Sequence, residues 1–259
     1  CGLHTNNSEL MTKIVVCSID LETTGLSVYN DRVCQIGVSF DSFDGVERKP
    51  FQTLVNPGRA MSKKAAEITG LTDDVLRTAP DLITALLSLY KHIEDTLPSS
   101  EDAVRVLVSY NGHGFDLPLL VSDAMRHGMD VSRYFDSIRM SFAIDLLPFC
   151  RQHLDADLLP KGAKGRVSFK LCDVYKACSG HVLDGAHDAL VDCRATLELI
   201  KSDHLCDHFH ARIDARQCDI PTDIIAKCIT QTKAQKDKPP LSKKRKRGAI
   251  DVVTSRKKV

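Results

Sequence analysis

The sequence predicts an α/β protein, a mixed five-stranded sheet with helices on both faces. Three apolar, strand-like segments come first, joined by short turn-rich stretches, and the later apolar runs are separated by segments with helical spacing. The chain of 259 residues is long enough for one substantial core, and 43% hydrophobic with 27% charged residues is an ordinary globular composition.

Residues 14–21, 32–40 and 51–55 are the first strands. Gly25, Asn30-Asp31 and Asp44-Gly45 supply the turns between them, so an antiparallel meander is expected. Ser62 suits a helix N-cap, Ala65, Ala66 and Ile68 make an apolar side, and Gly70 ends that helix. Leu82, Leu86, Leu89 and Ile93 recur at three- and four-residue spacing and predict a helix over 81–96. The continuous apolar run 104–108 reads as a buried strand, with a helix over 117–127 after it. A fifth strand over 142–144 ends at Asp145, and helices follow at 146–154, 170–178 and 188–202. Between them, 155–168 contains Pro160, Gly162, Gly165 and three basic residues and is expected to be a mobile loop beside the site.

The first residue is Cys and Met11 stands just ahead of the first strand, so residues 1–12 read as a leader outside the fold. Residues 13–205 form the domain, 206–230 a C-terminal extension, and 231–259 a basic tail. In that tail Lys, Pro, Ser and Arg dominate without apolar period, which predicts disorder. Residues 233–259 hold eleven Lys/Arg against two Asp, a net of +9, and the whole chain is +1, so residues 1–232 carry −8. No apolar run approaches the roughly 18–20 residues needed to cross a bilayer, and no basic-then-apolar leader pattern is present, so an intracellular protein without a membrane partner is expected. Ten scattered cysteines without a Cys-x-x-Cys pair suit free thiols in a reducing, intracellular compartment.

The chemistry gathers at three places. Asp20 and Glu22 end the first strand on one face, while Ile19 and Leu21 take the other. Half-buried and unpaired, two such acids would cost several kcal/mol, which a divalent cation would offset. Asp20 capping a turn with Glu22 in solvent would satisfy the same triplet. Asp116 stands where the strand 104–108 gives way to a helix opened by Leu117-Pro118. By itself it reads as an N-cap, at the sheet edge where α/β proteins place their sites. His187-Asp188-Ala189-Leu190-Val191-Asp192 opens a later helix, so His187 and Asp192 can both be aimed at that edge. Asp188 could equally be the cap, and His187 alone reads as a surface residue. His204, Cys206, His208 and His210, with Cys218 beyond, alternate in a spacing unsuited to zinc and are expected to be solvated.

Together the three segments resemble the DEDD exonuclease superfamily, histidine subtype, over roughly residues 13–202. The pattern is Asp-x-Glu-Thr-Thr-Gly at 20–25, Asn-x-x-x-Phe-Asp at 111–116 and His-x-x-x-x-Asp at 187–192. Within it the chain is similar to the three-prime repair exonucleases at Ile68-Thr69-Gly70-Leu71, at Phe115-Asp116-Leu117-Pro118-Leu119-Leu120 and at Ser168-Phe169-Lys170-Leu171. It lacks the polyproline loop and C-terminal membrane helix of some animal members, and the basic tail is not a family feature.

The resemblance implies an RNase H-like fold and 3′-to-5′ exonucleolytic release of 5′-mononucleotides, from DNA more readily than RNA and from single-stranded or mismatched ends. It assigns Asp20, Glu22, Asp116 and Asp192 to two Mg²⁺ ions, with Mn²⁺ an alternative, about 3.5–4 Å apart, and His187 to taking the proton of the attacking water. Glu22, Thr23, Leu26 and Phe115 would contact the terminal nucleotide, although core packing is the competing expectation for Leu26 and Phe115. A proofreading or RNA-trimming enzyme shares these motifs, and a silent nucleic-acid-binding module is the alternative outside enzymology. The resemblance also admits a homodimer. The basic cluster within 233–247 suits import machinery or a nucleic-acid patch, with residence in the nucleus or cytoplasm.

Overall fold

The computed structural model describes residues 14–42, 46–98, 101 and 103–236. The leader expected over 1–12, and the basic tail from 237 on, lie outside the described residues. β1 (Ile14–Thr23) is the central strand of a five-stranded sheet ordered β3-β2-β1-β4-β5. β2 (Val33–Ser42) and β3 (Phe51–Leu54) continue it antiparallel, whereas β4 (Val104–Ser109) and β5 (Phe142–Asp145) continue it parallel on the other side. The expected meander and mixed sheet are both present. Parallel pairing requires crossovers, and helices α1 (Lys63–Thr69), α2 (Asp73–Leu76) and α3 (Leu82–Thr96) precede β4 while α4 (Asp116–Arg126) and α5 (Val131–Ile138) precede β5.

Alternation along β1 divides the interior in two. Val15, Cys17, Ile19 and Leu21 face a core closed by Leu82, Leu86, Leu89 and Ile93 of α3, Leu117 and Leu120 of α4, and Val131 and Tyr134 of α5. Ile14 and Val16 face the other, with Val106, Val108 and Ile144, Phe149 of α6 (Leu146–His153), Val174 of α7 (Leu171–Ser179) and Leu197 and Ile200 of α8 (Ala189–Lys201). Helices therefore cover both faces. Along the second row β1 passes from Ile14 and Val16 to Ser18, Asp20 and Glu22, so its apolar end seals the core and its acidic end reaches the sheet edge.

Ser62 accepts from the Ala65 N–H and Gly70 closes α1 at φ 71°, as the spacing predicts. No residue of α1 is buried, however, and its apolar side lines a cleft instead of a core. Helices α2 and α5 are additions to the expected elements: Thr72 and Asp130 cap them with side-chain acceptors, and α5 buries Val131, Tyr134 and Ile138 at three- and four-residue spacing. The segment 155–168, expected as a mobile loop, is built of two 3₁₀ turns, Ala156–Leu158 and Ala163–Gly165, with a bridge between Lys161 and Val167. None of it lines that cleft.

Residues 206–236 join the same cores. Phe209 and Ile213 of α9 (Cys206–Asp214) enter the second, Ile225 and Cys228 of α10 (Pro221–Lys236) the first. Asp219 exchanges backbone hydrogen bonds of 2.9 and 3.1 Å with Ala143, covering part of the outer edge of β5. The disorder expected from 231 is corrected for its first six residues. Helix α10 runs on to Lys236 with Thr232 buried, because elongating a formed helix needs no further nucleation even where the apolar period has ended. At the alternating His and Cys positions of α9, His208 stacks on His153 at 4.3 Å between ring centroids and the Cys206 thiol lies 3.7 Å from His210 Nδ1.

One contact governs how closely α8 approaches the sheet. A Cβ on Gly37 of β2 would stand 2.4 Å from the Ala189 carbonyl carbon, and the Cys193 thiol donates to the Gly37 carbonyl at 3.2 Å. Gly37→Ala is therefore expected to cost about 1–3 kcal/mol or more through overpacking and to lower the melting temperature. An unchanged melting temperature would show that α8 can move away freely.

Candidate active site

A cleft of about 530 Å³ opens at the carboxyl ends of β1 and β4 and brings together every residue the motifs nominate: Asp20, Glu22, Thr23, Leu26, Phe115, Asp116, His187 and Asp192. Strand β1 supplies the first three. Leu26 is 80% exposed on the loop after it, so the core-packing expectation is corrected there: the tight turn at Gly25 carries the side chain out to the rim. Phe115 is half-buried, packed against the first core with part of its surface in the cleft. The Thr23 hydroxyl donates to the Gly25 carbonyl at 2.8 Å, which holds this turn shut.

Asp116 is not the cap the sequence suggests. It is the first residue of α4, Phe115 occupies the cap position without a side-chain bond, and the buried Asp116 carboxyl lines the cleft, where the backbone amides of Asp116 and Leu21 favour its charged form. Burial against the strand holds it there. The preceding loop turns through Asn111 at φ 64°, and a Cβ on Gly112 would meet the Ser109 hydroxyl oxygen at 2.2 Å. Asp145, at the end of β5, accepts from the N–H groups of Asn111 at 2.8 Å, His113 at 3.1 Å and Leu147 at 3.0 Å, so one carboxylate fixes both the loop and the start of α6. The sequence marks Asp145 as a strand end and gives no local sign of this role. Asn111, Asp31, Lys64 and Ile68, which also line the cleft, were not nominated as contacts either. Position at a strand end was the available signal for Asp145.

At α8 the open choice resolves in favour of Asp188 as the cap. It accepts from Leu190 N–H at 3.0 Å and Val191 N–H at 3.2 Å, and from the side-chain amides of Gln52 at 2.8 Å and Gln35 at 3.3 Å. Its oxygens are committed, which frees Asp192 to face the cleft. His187 is exposed at φ 69°, and its backbone N–H donates to Asp192 Oδ2 at 3.3 Å. Glu22, His187 and Asp192 each offer a donor atom, all within 4.8 Å of one another.

Asp20, Glu22, Asp31, Asp116 and Asp192 line the cleft against Lys64 as the cationic side chain. Burial, with the charges of Asp192 and Asp116 behind it, pushes Glu22 up to about 8. Burial lifts Asp116 to about 7 despite its two backbone donors. Asp20 lies well above the carboxylate range through burial and then the charges of Asp116, Asp192 and Glu22, and burial also raises Asp192. Among the described residues, Asp192 Oδ1 is buried without a hydrogen-bond partner. Hard oxygen donors in mutual repulsion, one of them orphaned, fit a divalent cation.

The fold and this cluster define an exonuclease of the DEDD superfamily with an RNase H-like sheet. The RNase_T family model, described as Exonuclease, matches residues 17–200, and the chain belongs to that family. It is similar to the PolC-type DNA polymerase III of Streptococcus pyogenes, 30% identical over 134 residues that make up 52% of this chain and 8% of the polymerase. Among solved structures it is similar in fold to E. coli Exonuclease I in complex with a dT13 oligonucleotide, at TM-score 0.62 and 22% identity over 77% of this chain and 43% of that one. The complex with dA16 gives 0.60 and 22% over 73% and 40%. The chain thus spans less than half of those nucleases and a small part of the polymerase.

The raised carboxyls carry a signed expectation. Glu22 and Asp116 hold protons in the folded state up to about pH 8 and 7, whereas free carboxyls release them near pH 4, so between these limits the folded state binds more protons and stability falls as pH rises. In chelator, the melting temperature should therefore drop between pH 5 and 8, and Asp192→Asn should raise it at pH 8. A divalent cation at 100 times its dissociation constant should return about 2.7 kcal/mol at pH 8 and far less at pH 5. Calorimetry showing no pH dependence in chelator would contradict the charge repulsion.

Proposed function

We propose that the chain is a divalent-metal-dependent 3′-to-5′ exonuclease that hydrolyses phosphodiester bonds at the 3′ end of DNA and releases 5′-mononucleotides. The observation that carries this reading is the meeting of four carboxylates and one imidazole around a single cleft, with Asp192 Oδ1 left unpartnered. DNA as substrate draws support from the oligonucleotides bound to Exonuclease I. A proofreading role is the second reading, favoured by the similarity to a PolC-type polymerase. At about 530 Å³ the cleft has the size of a small-ligand pocket and suits one unpaired nucleotide rather than a base pair, hence the preference for single-stranded or mismatched ends.

Asp20, Glu22, Asp116 and Asp192 would hold Mg²⁺ or Mn²⁺, which supplies charge neutralisation at the scissile phosphate and acidifies a water at neutral pH. The chain's own groups do the rest. His187 stands at the mouth, its backbone tied to Asp192, and its imidazole takes the proton of the attacking water. Leu26 and the exposed Ile68 give the terminal base an apolar surface, and the Phe115 ring offers a face for sugar or base. Stacking of this kind tolerates any sequence, as stepwise degradation requires.

Asp20→Ala and Asp192→Asn should abolish turnover of end-labelled single-stranded DNA while leaving the protein folded, and retained turnover would sink the assignment. His187→Ala should slow the chemical step about 10²- to 10⁴-fold with cation binding kept. Loss of cation binding in that variant would make the histidine a ligand instead.

The tail reading calls for a cut after Lys236, where α10 ends, so that the helix stays whole. The basic run Lys243-Lys244-Arg245-Lys246-Arg247 supports DNA capture and nuclear import. Deleting 237–259 should spare the rate at saturating substrate, weaken DNA binding at low salt with a shallower salt dependence, and move a fluorescent fusion out of the nucleus. Unchanged affinity would remove the capture role, and unchanged distribution the import role.

A further inference from the structure

A second cavity, of about 490 Å³, shares two walls with the active cleft. The loop after β1 turns Gly25, Leu26 and Asp31 to the cleft but Val28 and Tyr29 to this cavity. The loop before α4 likewise turns Asn111 and Phe115 to the cleft but His113 and Gly114 to the cavity. The remaining wall is Pro118 of α4 with Asp219 and the α10 residues Asp223, Ile224, Lys227, Cys228 and Gln231, the last six from outside the residues 17–200 that match the family.

These walls are fixed in advance. Arg126 donates to the Tyr29 carbonyl at 2.6 Å and to Asp123 at 3.0 Å; Asp123, 2% exposed, also accepts the Val33 N–H at 3.0 Å and pairs with Arg32 at 3.4 Å. Arg59 donates to the Asn30 carbonyl at 2.7 Å. On the other side His113 is held by Asp145 through its N–H and stands 3.5 Å from Asp219 through Nδ1. A cavity with braced walls binds without the cost of ordering them.

The lining selects among the parts of a nucleic acid. A phosphate would meet two carboxylates, Asp219 and Asp223, against Lys227 and His113. A nucleobase instead presents amino and imino N–H donors that carboxylates accept, and a flat face for Tyr29. Leu26 and Val28 are two residues apart, at most about 7 Å of backbone, so a strand with its last nucleotide in the cleft brings a neighbouring base to this opening.

We propose that the second cavity is a subsite for an unpaired nucleobase one or two nucleotides before the one removed, and that Tyr29 and α10 thereby set the length of single strand the enzyme requires. The proposal rests on the exonuclease reading. The full chain with Mg²⁺ would be assayed on thymidine 5′-p-nitrophenyl phosphate, which needs only the cleft, and on oligothymidylates of two to eight nucleotides. Octamers with one abasic nucleotide at each of positions two to five from the 3′ end complete the set. Between two and four nucleotides kcat/KM should rise about tenfold and then level, and one abasic position, the second or third, should forfeit that gain. Tyr29→Leu and Gln231→Ala, with melting temperatures checked, should flatten the rise and lose the response to the abasic position. A flat length dependence with the ester hydrolysed, an equal response at all positions, or variants that keep the wild-type abasic penalty would overturn the subsite alone. Hydrolysis of none of the substrates would overturn the exonuclease reading and the subsite with it.

Discussion

Mutual repulsion among carboxylates is the constraint around which this molecule is arranged. Asp20, Glu22, Asp116 and Asp192 come from a strand and two helix starts; burial raises the proton affinity of all four, and the charges of Asp116 and Asp192 add to it at Asp20 and Glu22. Left to themselves such groups would separate or move into water. They stay together because each is attached to an element whose position is set elsewhere: β1 by pairing on both sides, α4 by Leu117 and Leu120 in the first core, α8 by Leu197 and Ile200 in the second. The two cores are thus the restraint that holds an unfavourable charge cluster in place.

A second set of polar groups stands just behind the acids and converts that restraint into orientation. Asp145 ties the loop before α4, and Asp188 with Gln35 and Gln52 ties the start of α8. Asp123 with its arginines ties the loop that carries Leu26. Each of these acids is saturated by donors, whereas Asp192 keeps an unpartnered oxygen. That contrast sets Asp192 apart from the acids that hold the frame, although Asp192, Asp123 and Asp145 are all buried aspartates. Two of the positive-φ residues, Asn111 and His187, lie beside these acids, Asn111 held by Asp145 and His187 by Asp192.

The C-terminal helices extend the scheme. Because Asp219 pairs with β5 and α10 packs against α4, residues outside the family match meet the loop that positions Asp116. Helix α10 thereby gives the second cavity a wall beside the loops that flank the cleft.

Local pattern carried much of this in the sequence. Alternation over 14–22 shows which strand residues are core and which are acid, leucine spacing marks α3, and the three short motifs locate the acids and the histidine. All of these depend on neighbours within a few positions, which is the range over which side-chain period and capping act. Tertiary structure alone decided what depends on distant chain segments approaching one another. It moved the cap of α4 from Asp116 to Phe115, added Gln35 and Gln52 to the Asp188 cap, and gave Asp145 its donors from Asn111 and His113. It also put Leu26 and Tyr29, three residues apart, into different cavities. No local pattern records these, because each partner lies far along the chain or is set by a turn whose direction only packing fixes.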